Sequence, residues 1–298
     1  MLLKQLENIE AQARGSKIKR LLFSPLAYLF GTFFYKIIYP FNKKGVLRKV
    51  DTFFGSKMTL LLPAGMDIFI LKAKTHDSEI RLTRFLIKTI KPGDTFVDIG
   101  AHFGFYSLLA AHLTGEEGKV FSVEASPLVY EILRQNIEQK PIIQAFHIAI
   151  AKKSGIIEFN EFPILYSEYN TIHLEQFEQS KWYKNNPPQK VKVQADKLES
   201  LLKKWNASPK VIKIDIEGAE YDAIAGLESF LQSNSTIIAM EYLAKGRENE
   251  AHKKALKIAA KYGLKPHLID QLGNAVAVED IDTALKNRGL DSDNIVLC

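Results

Sequence analysis

Asp215, Glu217 and Glu220 crowd one short stretch, VIKIDIEGAE, at the end of an apolar run that reads as a buried strand. Carboxylates this close tend to raise one another's pKa, which suits a general base, and their oxygens equally suit a divalent cation. The sequence assigns no metal to them, and a divalent ion stays an alternative use of the same groups. Glu241 closes the following apolar run, TIIAMEY, and joins Asp215 and Glu217 as a catalytic candidate. Lys213 alternates with Ile212 and Ile214, a position from which it lines a substrate site or pairs with a carboxylate. Glu220 is a candidate for substrate contact, with a second use at the start of a helix, where negative charge is favourable.

A second cluster lies upstream. The run TFVDIG leads through Asp98-Ile99-Gly100-Ala101-His102-Phe103-Gly104 into FYSLLAAHLT, and Glu124 ends the next strand-like run, 20 residues after Gly104. Gly100 permits a tight turn and close approach of a ligand to the backbone, and Gly104 lets the helix pack close to the strand. A dinucleotide site would read G-x-G-x-x-G, with helix amides facing a pyrophosphate. Here the order is D-x-G-x-x-x-G. Asp98 would repel an anion but not a zwitterion carrying an ammonium and a sulfonium, and Glu124 can accept bonds from two ribose hydroxyls. The expected cofactor is therefore S-adenosylmethionine, with Asp98, Gly100, Ala101, His102, Gly104 and Glu124 around it. His102 is also a candidate for contact with the reacting groups. Asn170 and His173, in a long polar loop over 162–190, are candidates for substrate contact as lid residues. Asn186-Pro187-Pro188-Gln189 in that loop has no apolar strand before it and no stacking aromatic, so it reads as plain loop.

The elements that must position these groups alternate between strand and helix from Thr95 onward. TFVDIG, KVFSVEA, IQAFHIAI, VIKIDIE and TIIAMEY read as strands; FYSLLAAHLT, PLVYEILRQNI, DKLESLLKKW and AEYDAIAGLESFL read as helices. Residues 155–160 and 190–194 suggest an antiparallel pair, and PHLID with NAVAV a hairpin before the last strand, NIVLC. Such alternation implies a mostly parallel sheet covered on both faces. Ahead of it, MTLLL and DIFILK over 58–72 read as two short strands, followed by a helix near 78–90.

Charge divides the chain. Residues 1–93 carry 17 Lys/Arg against 6 Asp/Glu, whereas 94–298 carry 23 against 28. A nucleic-acid enzyme puts its basic surface beside the catalytic cleft, and the mildly acidic motif-bearing part argues against nucleic acid as a partner. The basic N-terminal part fits a membrane surface or an anionic conjugate. Within it, residues 21–42 hold one charge, Lys36, and are flanked by Lys17, Lys19, Arg20, Lys43 and Lys44. Three placements fit: a helical layer against the domain or in a homodimer, a peripheral helix at a membrane interface, or a span. Pro25, Gly31 and Lys36 oppose a span, and no small-residue cleavage site follows, as a secretory signal would require. The single cysteine, Cys298, rules out a disulfide framework and is compatible with a cytoplasmic location, at the inner face of a membrane if the interface placement holds.

The stretches KPGDTFVDIGAHFGFYS, VFSVEASPLVYEILRQNI and VIKIDIEGAEYDAIAGL, with IIAMEY after them, resemble the FkbM family of methyltransferases from about residue 76 to 243. The resemblance implies a class I methyltransferase (Rossmann-like) fold: a seven-stranded α/β sheet, mostly parallel with a C-terminal antiparallel hairpin strand. It divides the chain into an N-terminal extension over 1–75 and a methyltransferase domain over 76–298. It further implies O-methylation of a hydroxyl on a sugar, glycan or lipid-linked glycan. Asp98, Gly100 and Gly104 would surround the methionine moiety, Glu124 would hold the ribose, and Ala149 would lie near the adenine. Gln194-Ala195-Asp196 stands where the family often has T-L-D, and the 162–190 loop is longer than the common pattern. A soluble small metabolite as acceptor, or a cofactor-binding scaffold without catalysis, are the competing readings.

Overall fold

The computed structural model of the chain describes residues 1–177, 180–247 and 249–298. It begins with α1 (Leu2–Ala13), α2 (Lys17–Phe23) and α3 (Pro25–Phe33), which continues through a π turn into α4 (Tyr39–Asn42). Then come β1 (Val46–Asp51), β2 (Lys57–Leu62), α5 (Met66–Leu71) and α6 (Asp77–Thr89). The alternating part runs β3 (Thr95–Ile99), α7 (Phe105–Thr114), β4 (Lys119–Glu124), α8 (Pro127–Ile137) and β5 (Ile143–His147). Next are β6 (Ala149–Ile150), β7 (Gly155–Glu161), α9 (Lys181–Asn185), β8 (Gln189–Asp196), α10 (Leu198–Trp205) and β9 (Val211–Ile214). The chain closes with α11 (Glu220–Ala225), α12 (Glu228–Ser233), β10 (Ile237–Leu243), α13 (Glu250–Lys261), β11 (Pro266–Ile269), β12 (Ala275–Ala277), α14 (Ile281–Arg288) and β13 (Ser292–Leu297).

Eight strands form the main sheet in the order β12-β11-β13-β10-β9-β3-β4-β5. Neighbours from β5 to β10 are parallel, and β13 inserts antiparallel between β10 and β11. This is the class I methyltransferase-like α/β fold, with one strand more than the seven expected. The extra strand is β12, three residues long, the return arm of the 266–277 hairpin at the sheet edge. Alternate strand residues feed two apolar layers. Phe96, Val120 and Val211 pack with Leu82, Leu108 and Leu133 of α6, α7 and α8. Val97, Phe121 and Ile212 pack with Leu201, Ile224 and Ile258 on the opposite face.

Local chemistry sets several of these boundaries. Ser126 caps α8 by accepting from the Val129 amide at 3.1 Å, and Pro127 occupies the first turn, where its missing N–H costs nothing. The run IQAFHIAI is not one strand. It breaks at Ile148, so Ala149 belongs to β6, which pairs with β8 in a separate three-stranded sheet with β7. AEYDAIAGLESFL likewise divides at Gly226 into α11 and α12.

DIFILK is a helix, not a strand. Gly65 at φ +68° starts it, and the buried Ile68 and Leu71 lie three residues apart on one helical face. A short apolar run carries too little periodicity to separate the two states. The N-terminal hairpin therefore lies earlier, with β2 paired to the charged β1. Residues 1–75 do not build a core of their own: Leu6, Ile9, Phe34 and Leu60 share one apolar cluster with Leu82, Phe96 and Leu108. Glu10 of α1 also pairs with Arg84 of α6 at 2.7 Å.

Segment 21–42 is bent by 120° between α2 and the rod that begins at Pro25. Among the described residues no single helix is long and apolar enough to cross a membrane. Phe34 and Tyr39 of the rod are buried, and Gly31 lies so close to α5 that a Cβ there would meet Met66 Sδ at 2.7 Å.

Candidate active site

The strand order turns back at β3 and β9. After β3 the chain proceeds to β4 and β5 on one side, while β9 leads to β10 on the other. The loops leaving these strands diverge, and a crevice opens beyond their carboxyl ends. Here it is a cleft of about 370 Å³, lined by Gly100, His102 and Glu124 from the ends of β3 and β4 and by Asp215, Glu217 and Glu241 from the ends of β9 and β10.

Backbone geometry brings the two sets together. Gly100 has φ +75°, and a Cβ on it would lie 1.8 Å from the Asp215 carbonyl oxygen. The Asp215 amide donates to Ile99 O at 3.0 Å, tying the two loops directly. His102 and Glu217 hold φ near +50° (50° and 49°), a region costly for side chains with a Cβ. Both line the cleft, where such strain is commonly retained. Gly104, at φ +89°, starts α7, and a Cβ there would strike Leu133 Cδ1 at 2.6 Å. Ala101 is buried behind the turn, its amide donating to Val123 O at 2.9 Å.

Asp98 sits beneath the cleft rather than in it. The β3–β9 register places it beside Lys213 on the same sheet face. Lys213 Nζ lies 3.3 Å from Asp98 Oδ1 and 3.1 Å from Asp215 Oδ2, with Lys213 and Asp98 buried and Asp215 partly open to the cleft. Ser107 of α7 donates to the other Asp98 oxygen at 2.6 Å. The ammonium therefore offsets the Asp98 charge, and the repulsion of an anionic cofactor expected from Asp98 falls instead to Glu124 and Asp215. Lys213 is a buried counter-ion, not a group that meets substrate.

Glu124 accepts from the His102 amide at 2.8 Å and from the Ser126 amide at 2.9 Å, one bond to each oxygen. Each oxygen keeps a lone pair for a ribose hydroxyl. Burial lifts this carboxyl to about 7, against the pull of the Ser126, His102 and Ala125 amides. Beside it, Ile148, Ala149 and Phe159 give the cleft an apolar wall of the kind an adenine ring needs. These features fit S-adenosylmethionine: a diol acceptor, an apolar end, a side-chain-free glycine and nearby carboxylates facing a cation.

Asp215, Glu217 and Glu241 place carboxylate oxygens within 4.8 Å of one another, close enough to share one proton or one divalent cation. Their environments differ. Burial pushes Asp215 up, but Lys213 and Lys74 outweigh it, and its carboxyl lies below the usual value. Burial raises Glu217 well above the usual carboxyl value, with Glu241 and Asp215 adding repulsion. Glu241 reaches about 8 for the same reasons, burial first and Asp215 next. His102 Nε2 lies 3.0 Å from Ser167 Oγ, and burial lowers the imidazole to about 4, so it is neutral at pH 7.

Asn170 lines the cleft, its Oδ1 accepting from the Phe162 amide at 2.7 Å. Two other substrate candidates lie elsewhere. Glu220 is buried behind the 215–219 loop, accepting from the Ile216 and Gly218 amides at 3.2 and 2.9 Å and facing His252 at 3.4 Å. It shapes that loop and starts α11. His173 faces Asp222 at 3.4 Å in a separate surface hollow.

The sequence motifs missed Lys74, which comes from the extension and lines the cleft with Glu79 and Glu168. Its ammonium lies 3.4 Å from Glu79 and 3.5 Å from Glu168. Burial lowers its pKa, yet Glu79, Glu168 and Asp215 carry it well above the ordinary value. Tyr106 of α7 donates to Glu79 at 2.7 Å and holds that carboxylate in place. Nothing in the spacing around Lys74 signals a site, because it reaches the cleft only through packing of the extension.

The chain is similar to several known proteins. A hexuronic acid methyltransferase, AglP, of Haloferax volcanii is 24% identical over 156 residues, 52% of this chain and 59% of that protein. A "Probable cobalt-precorrin-6B C(15)-methyltransferase (decarboxylating)" of Sulfolobus acidocaldarius is 36% identical over 61 residues, 20% of this chain and 32% of its own. The chain thus spans less than two thirds of the length of either curated relative. The solved structure of methyltransferase FkbM from Methylobacillus flagellatus superposes with a TM-score of 0.42 at 12% identity, covering 76% of this chain and 55% of that one. Residues 98–266, more than half of the chain and the whole run from Asp98 to the start of β11, match the Methyltransferase FkbM domain, and the chain belongs to that family.

Proposed function

We propose that the protein is an S-adenosylmethionine-dependent O-methyltransferase whose acceptor is a hydroxyl of a sugar, free or within a glycan. The observation that carries this reading is that Glu124 and the clustered Asp215, Glu217 and Glu241 carboxylates line one cleft. Glu124 suits a ribose diol, and the cluster suits an acceptor hydroxyl whose proton must leave. The polar character of that cluster, and Tyr169 in the same cleft, match a sugar better than a flat apolar metabolite. The hexuronic acid methyltransferase similarity supports the same class of acceptor.

S-adenosylmethionine, held by Glu124 and the Gly100 turn, would supply a methyl group on a sulfonium for displacement by the acceptor oxygen, with the sulfur as leaving group. The chain's own part is alignment and proton removal. Asp215, held ionised by Lys213 and Lys74, accepts a hydrogen bond from a neighbouring hydroxyl of the acceptor and orients it. The Glu217–Glu241 pair, with affinities lifted toward the working pH, takes the proton.

Because the base must be ionised, kcat/KM is expected to rise about tenfold per pH unit at low pH and level off above about 8. Glu241→Gln should remove that limb and lower kcat by about 100-fold or more while leaving cofactor affinity unchanged. Calorimetry and a methyl-transfer assay on uronic-acid and neutral-sugar acceptors check both. Retained turnover in Glu241→Gln and in Glu217→Gln would overturn the base assignment and return the scaffold reading. Methyl transfer is also expected to persist in excess EDTA, since Lys74 and Lys213 already offset the charge around Asp215. Loss in EDTA with rescue by Mg²⁺ would assign the three carboxylates to a metal instead.

A further inference from the structure

The rod formed by α3, the π turn and α4 leaves one side uncovered. Leu26, Leu29, Phe33, Ile37 and Phe41 are 84, 58, 56, 48 and 88% exposed, at spacings of three or four that keep them on one face. The π turn preserves this stripe past Pro40, which has no amide to donate, while Tyr39 N bonds back to Phe34 O. Leu22 of α2, 76% exposed, extends the stripe around the bend. Of the sixteen large apolar side chains exposed among the described residues, ten lie within residues 18–47. Scattered exposed leucines are ordinary, but a contiguous patch of this size marks an interaction surface.

The charge around the stripe decides what covers it. Residues 11–50 contain nine Lys/Arg and no Asp or Glu. Lys17, Lys19, Lys36, Lys43 and Lys44 are exposed at its margins. A second copy of this chain would bring nine cations against nine, with no acid in the segment to pair them. A nucleic acid would meet leucine and phenylalanine where it needs polar groups. An anionic bilayer offers both halves of the complement, acyl chains for the stripe and head groups for the lysines. The buried face, with Phe34, Tyr39 and Gly31 packed on the domain, holds the rod's 18 residues parallel to the protein surface. It can lie in an interface but cannot turn to cross one without leaving the core.

We propose that residues 17–44 dock the enzyme on an anionic membrane surface, with the Leu26–Phe41 stripe in the acyl boundary and the flanking lysines at the head groups. The docked rod adjoins the cleft: the Leu165 amide donates to Tyr39 Oη at 3.3 Å, and the same turn carries Ser167, Glu168 and Tyr169 into the cleft wall. Docking would therefore present the site to acceptors held at the membrane. The surface itself does not depend on which acceptor is methylated.

The test is co-sedimentation of the full-length protein with phosphatidylcholine vesicles, with and without phosphatidylglycerol. Wild type is expected to pellet with the anionic vesicles and to be partly released by high salt. Leu29→Gln/Phe33→Gln/Phe41→Gln should reduce the bound fraction by about tenfold or more, with unchanged circular dichroism because these side chains are exposed. Lys43→Glu/Lys44→Glu, a second variant at exposed positions, should erase the preference for anionic over neutral vesicles. No vesicle binding by wild type, or equal binding by wild type and both variants, would overturn the proposal. So would a concentration-dependent dimer that the triple variant dissociates, which would assign the stripe to a second copy of the chain.

Discussion

Lys213→Met is expected to cost about 3–5 kcal/mol of stability, the usual price of leaving one member of a buried ion pair alone. The methionine fills the same space, so the loss is electrostatic. Lys213 Nζ sits within 3.3 Å of Asp98 and 3.1 Å of Asp215, and Asp98 is 1% exposed. Without the ammonium, the Asp98 carboxylate keeps only the Ser107 hydroxyl as partner and must either stay charged in the wall or take up a proton. Urea denaturation of wild type and variant measures the difference. Adding Asp98→Asn to Lys213→Met should recover most of it, because an amide can remain buried and neutral beside Ser107. An unchanged midpoint in the single variant would show that the ammonium does not compensate Asp98. The single variant should also raise the Asp215 pKa, since Lys213 is the foremost cation holding that carboxyl down.

Glu124→Ala should weaken S-adenosylmethionine binding by about 100-fold. Two hydrogen bonds to a charged acceptor contribute about 1.5–3 kcal/mol each, and part of that is regained from water entering the cavity. The measurement belongs at pH 8, where the wild-type carboxyl, with a pKa of about 7, is ionised. Protonation converts one oxygen into a donor, so wild-type affinity should itself fall as the pH drops below 7, and the variant should show no such dependence. Equal affinity of the two proteins at pH 8 would remove Glu124 from the ribose site. Burial disfavours the ionised carboxyl, so its contribution to wild-type stability should fall as the pH rises from about 4.5 to about 7, the reverse of its effect on cofactor binding.

Much of the site was legible as spacing. Gly100 and Gly104 bracket a strand-to-helix turn, and both occupy φ values that only glycine adopts cheaply, so the motif registered a backbone requirement. Glu124 and the DIEG stretch lie at strand ends, and strand ends of a parallel sheet meet on one side. DIFILK was not legible, because six apolar residues satisfy strand and helix alike. Gly226 also divided a helix that reads as continuous, since an isolated glycine does not by itself say whether a helix bends or ends. Glu220, read as a substrate contact or a helix start, takes the second role: it turns inward to two loop amides and His252.

What the sequence by itself determined was the class of cofactor turn, the alternating α/β order and the set of carboxylates near the strand ends. Those follow from local backbone demands and from periodicity, both of which act within a few residues. The tertiary structure alone decided which charges meet. The pairing of β3 with β9 set Lys213 beside Asp98, and packing of the extension brought Lys74 to the cleft. Contacts between segments far apart in the chain depend on strand order, register and packing, which no local pattern encodes. The same packing decided that residues 21–42 bury one face and expose the other, a division that their nearly uniform apolar composition did not reveal.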